Sequence, residues 1–355
     1  MRALVFALGF SVLAASASHA ASGPQPAHVP GYKAEADEPR LPAASIARAS
    51  RFLETVSLKW TRQNKCGTCH TNLAHVMAEP YLEARDAAAE KEIRDSLFDF
   101  LASYNPNVDD VPPEKRRANN NILWNRLIIA GTFAMSDGEA GVPQDPRTLA
   151  RFDQIWTMQN EDGSFDYPRK ALPFLEDDAH YVMTMTAIAA SYLPAEHFRQ
   201  PAAAAGLKKL HRYLAATPAK DQHGELVLMR ASMKAPELMS PAKRADLVAR
   251  TLKLQRPDGG WSTASLGDWM REGGVPNPKD GPSDGYGTGF VLYTLCKSGV
   301  PKTSSAIQKG LTWLNANQRQ SGRWYTASLW ADDMQHYVST LGTAYAVMAL
   351  KECTK

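Results

Sequence analysis

The chain has 355 residues, 44% of them hydrophobic and 22% charged, with a formal net charge of +3. That length supports one large domain or two small ones with a buried core, and the composition is globular rather than disordered or fibrous. The positive excess is too small and too dispersed to indicate a nucleic-acid partner.

At the start of the chain Arg2 precedes an apolar run from Ala3 to Ala15, and small residues follow to Ser18-His19-Ala20. This charged, apolar, small-x-Ala order is that of a secretory signal peptide over residues 1–20, with cleavage expected after Ala20. The run is too short to span a bilayer, and no later stretch approaches the roughly 18 uninterrupted apolar residues that a transmembrane helix needs. The mature protein is therefore expected to be exported without a transmembrane segment, and periplasmic if the source is Gram-negative. Residues 21–41, rich in proline, alanine and charge, read as a flexible leader or a wrapping segment.

Apolar spacing then becomes helical. Residues 44–63 carry Ile46, Phe52, Leu53, Val56 and Trp60 near a period of 3.6. They run into Cys66-Gly67-Thr68-Cys69-His70, and C-x-x-C-H is the pattern of c-type haem attachment. Two thiols three residues apart can form thioethers to the two vinyl groups of one porphyrin, and the adjacent imidazole is carried to the iron as its proximal ligand. A redox-active C-x-x-C pair would want a βαβ context, and a zinc site would want a further Cys/His pair at ligand spacing. Neither follows, so one covalent haem c on Cys66, Cys69 and His70 is the expected cofactor. His75 and Met77 stand too close behind His70 to serve the opposite face.

Further helical periods cover residues 92–104, 122–135, 149–158, 180–192, 205–214, 245–254, 289–295, 306–314 and 337–350, with no convincing alternating strand. The expected fold class is all-α. Two loops in the chain remain open in meaning. Lys115-Arg116-Arg117 reads as a docking patch or a solvated loop, and 276–283 as a lid or a surface insertion.

The helices are linked by a repeat: MQNEDGSF at 158–165, LQRPDGGW at 254–261 and NQRQSGRW at 317–324. Each copy ends one helix and precedes another, with glycine where a sharp turn needs an unhindered backbone. On these motifs the chain resembles the terpene cyclase and prenyltransferase repeat family, whose Q-x-x-x-G-x-W loops tie helix hairpins into an α/α toroid. The resemblance implies that Gln159, Gln255 and Gln318 cap helix ends, and that Phe165, Trp261 and Trp324 stack against the next repeat. Gly163, Gly259 and Gly322 match its turn position. About six hairpins, near 42–80, 88–136, 146–196, 199–238, 241–298 and 302–352, would close a single squalene-hopene cyclase-like (α/α)6 toroid over residues 42–355. In the first hairpin the helix ends at Gln63, and the haem motif stands where the later hairpins have the glycine-aromatic loop. Cys296 and Cys353 fall at similar heights on neighbouring helices of this scheme, as a disulfide or as two thiols.

Asp177-Asp178-Ala179-His180-Tyr181 follows the third-hairpin loop, Asp332-Asp333-Met334-Gln335-His336-Tyr337 the sixth, and the thinner Asp284-Gly285-Tyr286 the fifth. One reading is capping of the next helix, with His and Tyr as packing residues. The other places Asp177, Asp178, His180, Tyr181, His336 and Tyr337 at the mouth of the toroid cavity as candidate catalytic groups. His180, His336, Met183 or Met334, and also Met135 or Met158, are then candidates for the distal position at the iron. Class II terpene cyclases protonate an olefin with a D-x-D-D motif, and Leu175-Glu176-Asp177-Asp178 lacks the first Asp. The expected function is electron transfer or haem-based oxidation of a small, apolar ligand. A cyclase or isomerase using Asp177 or Asp178, and a non-catalytic module docking a redox partner protein, are the alternatives.

Overall fold

The computed structural model describes residues 34–65, 67, 71–103, 126–166, 178–332 and 334–355. Cys66, Cys69, His70, Asp177, Asp333, the Lys115-Arg116-Arg117 run and the expected signal peptide lie outside the described residues.

Among the described residues the protein is all-α, with twelve α-helices and no strand. They are α1 (Ile46–Asn64), α2 (Asn72–Ala78), α3 (Ala87–Ser103), α4 (Gly131–Ala140), α5 (Pro146–Thr157) and α6 (Ala179–Ala190), then α7 (Pro201–Ala216), α8 (Gln222–Ser232), α9 (Pro241–Lys253), α10 (Gly285–Lys297), α11 (Ser305–Asn317) and α12 (Gln335–Thr354). A π-helical turn, Arg126–Ala130, leads into α4. No helix among these residues is long and apolar enough to cross a membrane.

Local chemistry sets many of the boundaries. Ser45, Asp145 and Ser240 cap α1, α5 and α9 by accepting backbone N–H bonds from Arg48, Arg147 and Lys243, and Pro146 and Pro241 stand where a missing N–H costs nothing. Gly141 ends α4 in the left-handed region.

The odd- and even-numbered helices differ in what they bury. α9 buries only Leu247 and Thr251, a narrow stripe. Every residue of α10 from Gly285 to Cys296 is buried, as is nearly all of α6, so these two are surrounded by other helices. The even-numbered helices pack in sequence: α2 on α4, α4 on α6, α6 on α8, α8 on α10, α10 on α12, and α12 again on α2. The odd-numbered helices lie against this set, α1 and α3 on α2, α7 on α6, α9 on α8 and α11 on both α10 and α12, while α5 packs on α7 and the π-helical turn. Helices α10 and α12 approach so closely that a Cβ on Gly289 would stand 2.6 Å from Ala346 N. At the C-terminal end of that pair Cys296 and Cys353 form a disulfide, their Cα atoms 5.6 Å apart.

Residues 34–41 lie along the loop after α11. Leu41 donates its N–H to Gln318 O at 2.8 Å, Gln320 N donates to Pro39 O at 2.9 Å, and Glu38 pairs with the buried Arg323 at 3.2 Å. The segment 276–283 is anchored by Asn277, whose Nδ2 donates to Trp269 O and Leu329 O at 3.0 and 2.8 Å.

Candidate functional site

The three repeated loops share one geometry. Gln159, Gln255 and Gln318 each donate from Nε2 to the carbonyl of the loop glycine, at 3.0 Å to Gly163, 2.8 Å to Gly259 and 2.7 Å to Gly322. The same nitrogen also donates to the next odd-numbered helix: to Gly206 O of α7 at 3.0 Å, Ala306 O of α11 at 2.8 Å, and Ser45 O at the start of α1 at 3.0 Å. The glycines adopt φ of +94°, +90° and +99°, and a Cβ would meet the carbonyl oxygens of Lys209, Lys309 and Arg48 at 2.2, 2.8 and 2.5 Å. Both facts exclude any residue but glycine. Phe165, Trp261 and Trp324 are buried, and the two indoles donate back to Thr251 O and Leu314 O at 2.9 and 2.8 Å.

The loop after α1 is built differently. Lys65 ends the helix in the left-handed conformation, and its N–H donates to Thr61 O. Gln63 remains within α1, exposed, and makes neither bridging bond, so the expected correspondence with Gln159 does not extend to its side chain. Gly67 nevertheless lies against the next odd-numbered helix, where a Cβ would be 3.1 Å from Leu97 and 2.8 Å from Ile129 of the π-helical turn. Around it a second apolar cluster, separate from the main core, gathers Leu73, Val76, Ile93, Leu97, Phe98, Leu101, Ile129 and Phe133.

Behind the motif, His75 is buried with no hydrogen bond at either ring nitrogen. Burial lowers its pKa to about 3, so the ring is neutral. Its Nε2 is 3.8 Å from Glu79 Oε1, and burial raises Glu79 to about 7 against the pull of Arg94.

Of the acidic candidates, Asp178 caps α6, its carboxylate accepting from Tyr181 N at 3.2 Å, and Asp284 caps α10 through Gly287 N at 2.8 Å. Asp284 also accepts from Thr263 N and Oγ1 at 2.7 and 2.6 Å, and burial raises it to about 6. Asp221 caps α8 in the same way. His180 is buried, with Thr184 Oγ1 3.4 Å from Nδ1 and no hydrogen bond at Nε2, and burial lowers its pKa. His336 packs on Tyr337 at 3.9 Å, and Tyr337 meets Trp60 edge-on at 6.2 Å, joining the start of α12 to the end of α1 just before the motif. Met183 lies in the main core, Met334 at its edge, and Met158 Sδ accepts from Arg126 at 3.3 Å.

Sequence reading passed over His223. It is buried between Tyr181 at 5.2 Å and Phe290 at 4.4 Å, with Nε2 2.8 Å from the Tyr286 hydroxyl. The signal was present, since Asp178/His180, Asp221/His223 and Asp284/Tyr286 share one capping register.

Between α2, α4, α6 and α12 lies a small, mainly apolar cavity of roughly 50 Å3. Met77, Met135 and Met185 line it together with Tyr181 and Tyr345. Met135 was an expected distal candidate; Met185 was not singled out, and Met77 was set aside for its nearness to His70. His180, His336, Met183 and Met334 do not line it. Among the described residues no cluster of three His, Cys, Asp or Glu side chains is arranged to hold a metal ion. No protein-family model matches this chain, and no curated protein matches it.

Proposed function

We propose that the chain is an exported c-type haem protein on a single α/α toroid, acting in electron transfer or in oxidation of a small apolar ligand. The observation that carries this reading is the C-x-x-C-H motif, followed within seven residues by Leu73 and Met77 of the apolar, methionine-lined cavity. The toroid is supported by the run of even-helix contacts from α2 round to α12 and again to α2, and by the Gln318 bridge from the last loop to the first helix.

The surroundings of Gly67 support a haem at the motif: it lies against Leu97 and Ile129, and the cluster to which they belong is apolar, as a porphyrin face requires. Cys66 and Cys69 would hold the group covalently and His70 would ligate its iron. When bound, the haem supplies one-electron chemistry whose outcome depends on distal polarity and access. Leu73, Val76 and Phe133 exclude water on the α2 side, and Tyr181 and Tyr345 bring the polar groups of the cavity wall. Of the two carboxylates of the cyclase alternative, Asp178 caps α6, and Asp177 lies outside the described residues.

Expression with a haem c maturation system should give a protein that stains for haem on a denaturing gel. Cys66→Ser/Cys69→Ser should abolish the stain. A CO-induced Soret shift in the reduced protein would assign it to ligand chemistry, and its absence to electron transfer. A wild-type chain without covalent haem would overturn the reading.

A further inference from the structure

We propose that the cleft at the other end of the even-numbered helices, between the C-terminal ends of α4, α6, α8 and α10, binds a small carboxylate with an apolar tail. The proposal is independent of the haem reading. The cleft is open to solvent on one side, has a volume of roughly 340 Å3, and presents Arg230, Lys234 and Lys297 beside Tyr192, Ile188 and Met233.

Arg230 carries the argument. Its side chain is only 9% exposed, yet its nearest carboxylate oxygen, on Glu139, is 3.8 Å away, beyond hydrogen-bond length. That carboxylate is already occupied. It accepts from Lys297 Nζ at 2.5 Å, from Tyr81 OH at 2.6 Å and from the Tyr192 hydroxyl. Burial would raise Glu139, but these three donors hold it ionised, near 2. The guanidinium is hydrogen-bonded to Tyr192 and faces the Tyr293 ring, 5.0 Å from its centroid. Basic residues in the last turns of α8 and α10 complement the helix ends, which accounts for the sign of the charge. It does not account for placing a five-donor fork, with Tyr192 as a neutral acceptor, beside a carboxylate that Lys297, Tyr81 and Tyr192 already fill.

An incoming carboxylate meets this fork in two parallel hydrogen bonds, with Lys234 as a second cation at the rim. The apolar half of the ligand has its own surface. Met233 is 43% exposed, one of few large hydrophobic side chains so exposed among the described residues, and it lies beside Ile188 on the cleft wall. A thioether side chain adapts to tails of differing shape.

The test is calorimetric titration of the mature chain with octanoate, 1-octanol and inorganic phosphate. Octanoate should bind saturably at one site, weakening with added salt, and octanol about tenfold or more weaker because it lacks the charge. Arg230→Lys, which keeps the charge and removes the fork, should weaken octanoate about tenfold. Lys234→Glu, at an exposed position, should weaken it several-fold with an unchanged melting curve, and decides the matter if the Arg230 variant does not fold. Absent or unsaturable octanoate binding, equal binding of octanol, tighter binding of phosphate, or indifference to Lys234→Glu would each overturn the proposal.

Discussion

The loops after α5, α9 and α11 and the loop after α1 do the same mechanical job by different chemistry. In the first three, a glutamine amide ties its own glycine to the neighbouring odd-numbered helix, and the junction is complete with protein groups alone. After α1 the loop still lies on the next odd-numbered helix through Gly67, but Gln63 stays in the helix and bridges nothing. The junction without a glutamine latch is the one that carries the two cysteines and the histidine. The contrast gives three tests, in which the latched loops should be sensitive to single side chains and the first loop to its cysteine motif.

The largest effect should come from Trp324→Ala. Trp324 is fully buried; its indole donates to Leu314 O and its backbone N–H donates to Thr343 Oγ1. Removing the indole leaves a cavity and an unpaired carbonyl, at a cost of about 3–5 kcal/mol. Urea titration should show a lower midpoint with an unchanged slope. A change below about 1 kcal/mol would mean that this loop is not a structural junction.

Next in size is Gly322→Ala. The backbone there has φ +99°, and the added Cβ would stand 2.5 Å from Arg48 O. Strain of this kind costs on the order of 1–3 kcal/mol. Gly141→Ala is the matched control: its φ is also positive, at +67°, but a Cβ would meet nothing within 4 Å. The difference between the two variants isolates the close approach of the loop to α1 from the backbone conformation itself.

These loops were legible in the sequence because amide, glycine and aromatic are each the one residue type their position admits. Helices with one buried face, such as α5 and α7, were legible, and so were the longer buried helices α6 and α10. Helices α2 and α8 were not read as periods, for physical reasons. α2 has only seven residues, and α8 is buried on nearly all sides, so its apolar run Leu226 to Met229 shows no stripe. The candidate site was less legible than the fold. Asp178 and Asp284 act as caps, one of the two readings their position allowed. Met185 and His223 gain their significance from helices distant in sequence that become neighbours, and no local spacing encodes that. The Cys296–Cys353 disulfide likewise depends on how α10 lies on α12.

The finest test sets Gln318→Ala against Gln63→Ala. Gln318 is fully buried and makes three bonds: Nε2 donates to Gly322 O of its own loop and to Ser45 O at the start of α1, and Oε1 accepts from Ser45 N at 2.5 Å. Alanine there strands the Ser45 N–H and removes a donor from the Ser45 and Gly322 carbonyls, a loss of roughly 1–2 kcal/mol. Gln63 is exposed and bridges nothing, so its alanine variant should fall within about 0.5 kcal/mol of the parent. Both residues stand at or next to the C-terminal end of an odd-numbered helix, and they differ in what the following loop asks of them. Equal losses in the two would mean that Gln63 latches the first loop after all. The haem motif would then be an addition to a complete junction, and Cys66→Ser/Cys69→Ser would leave stability unchanged.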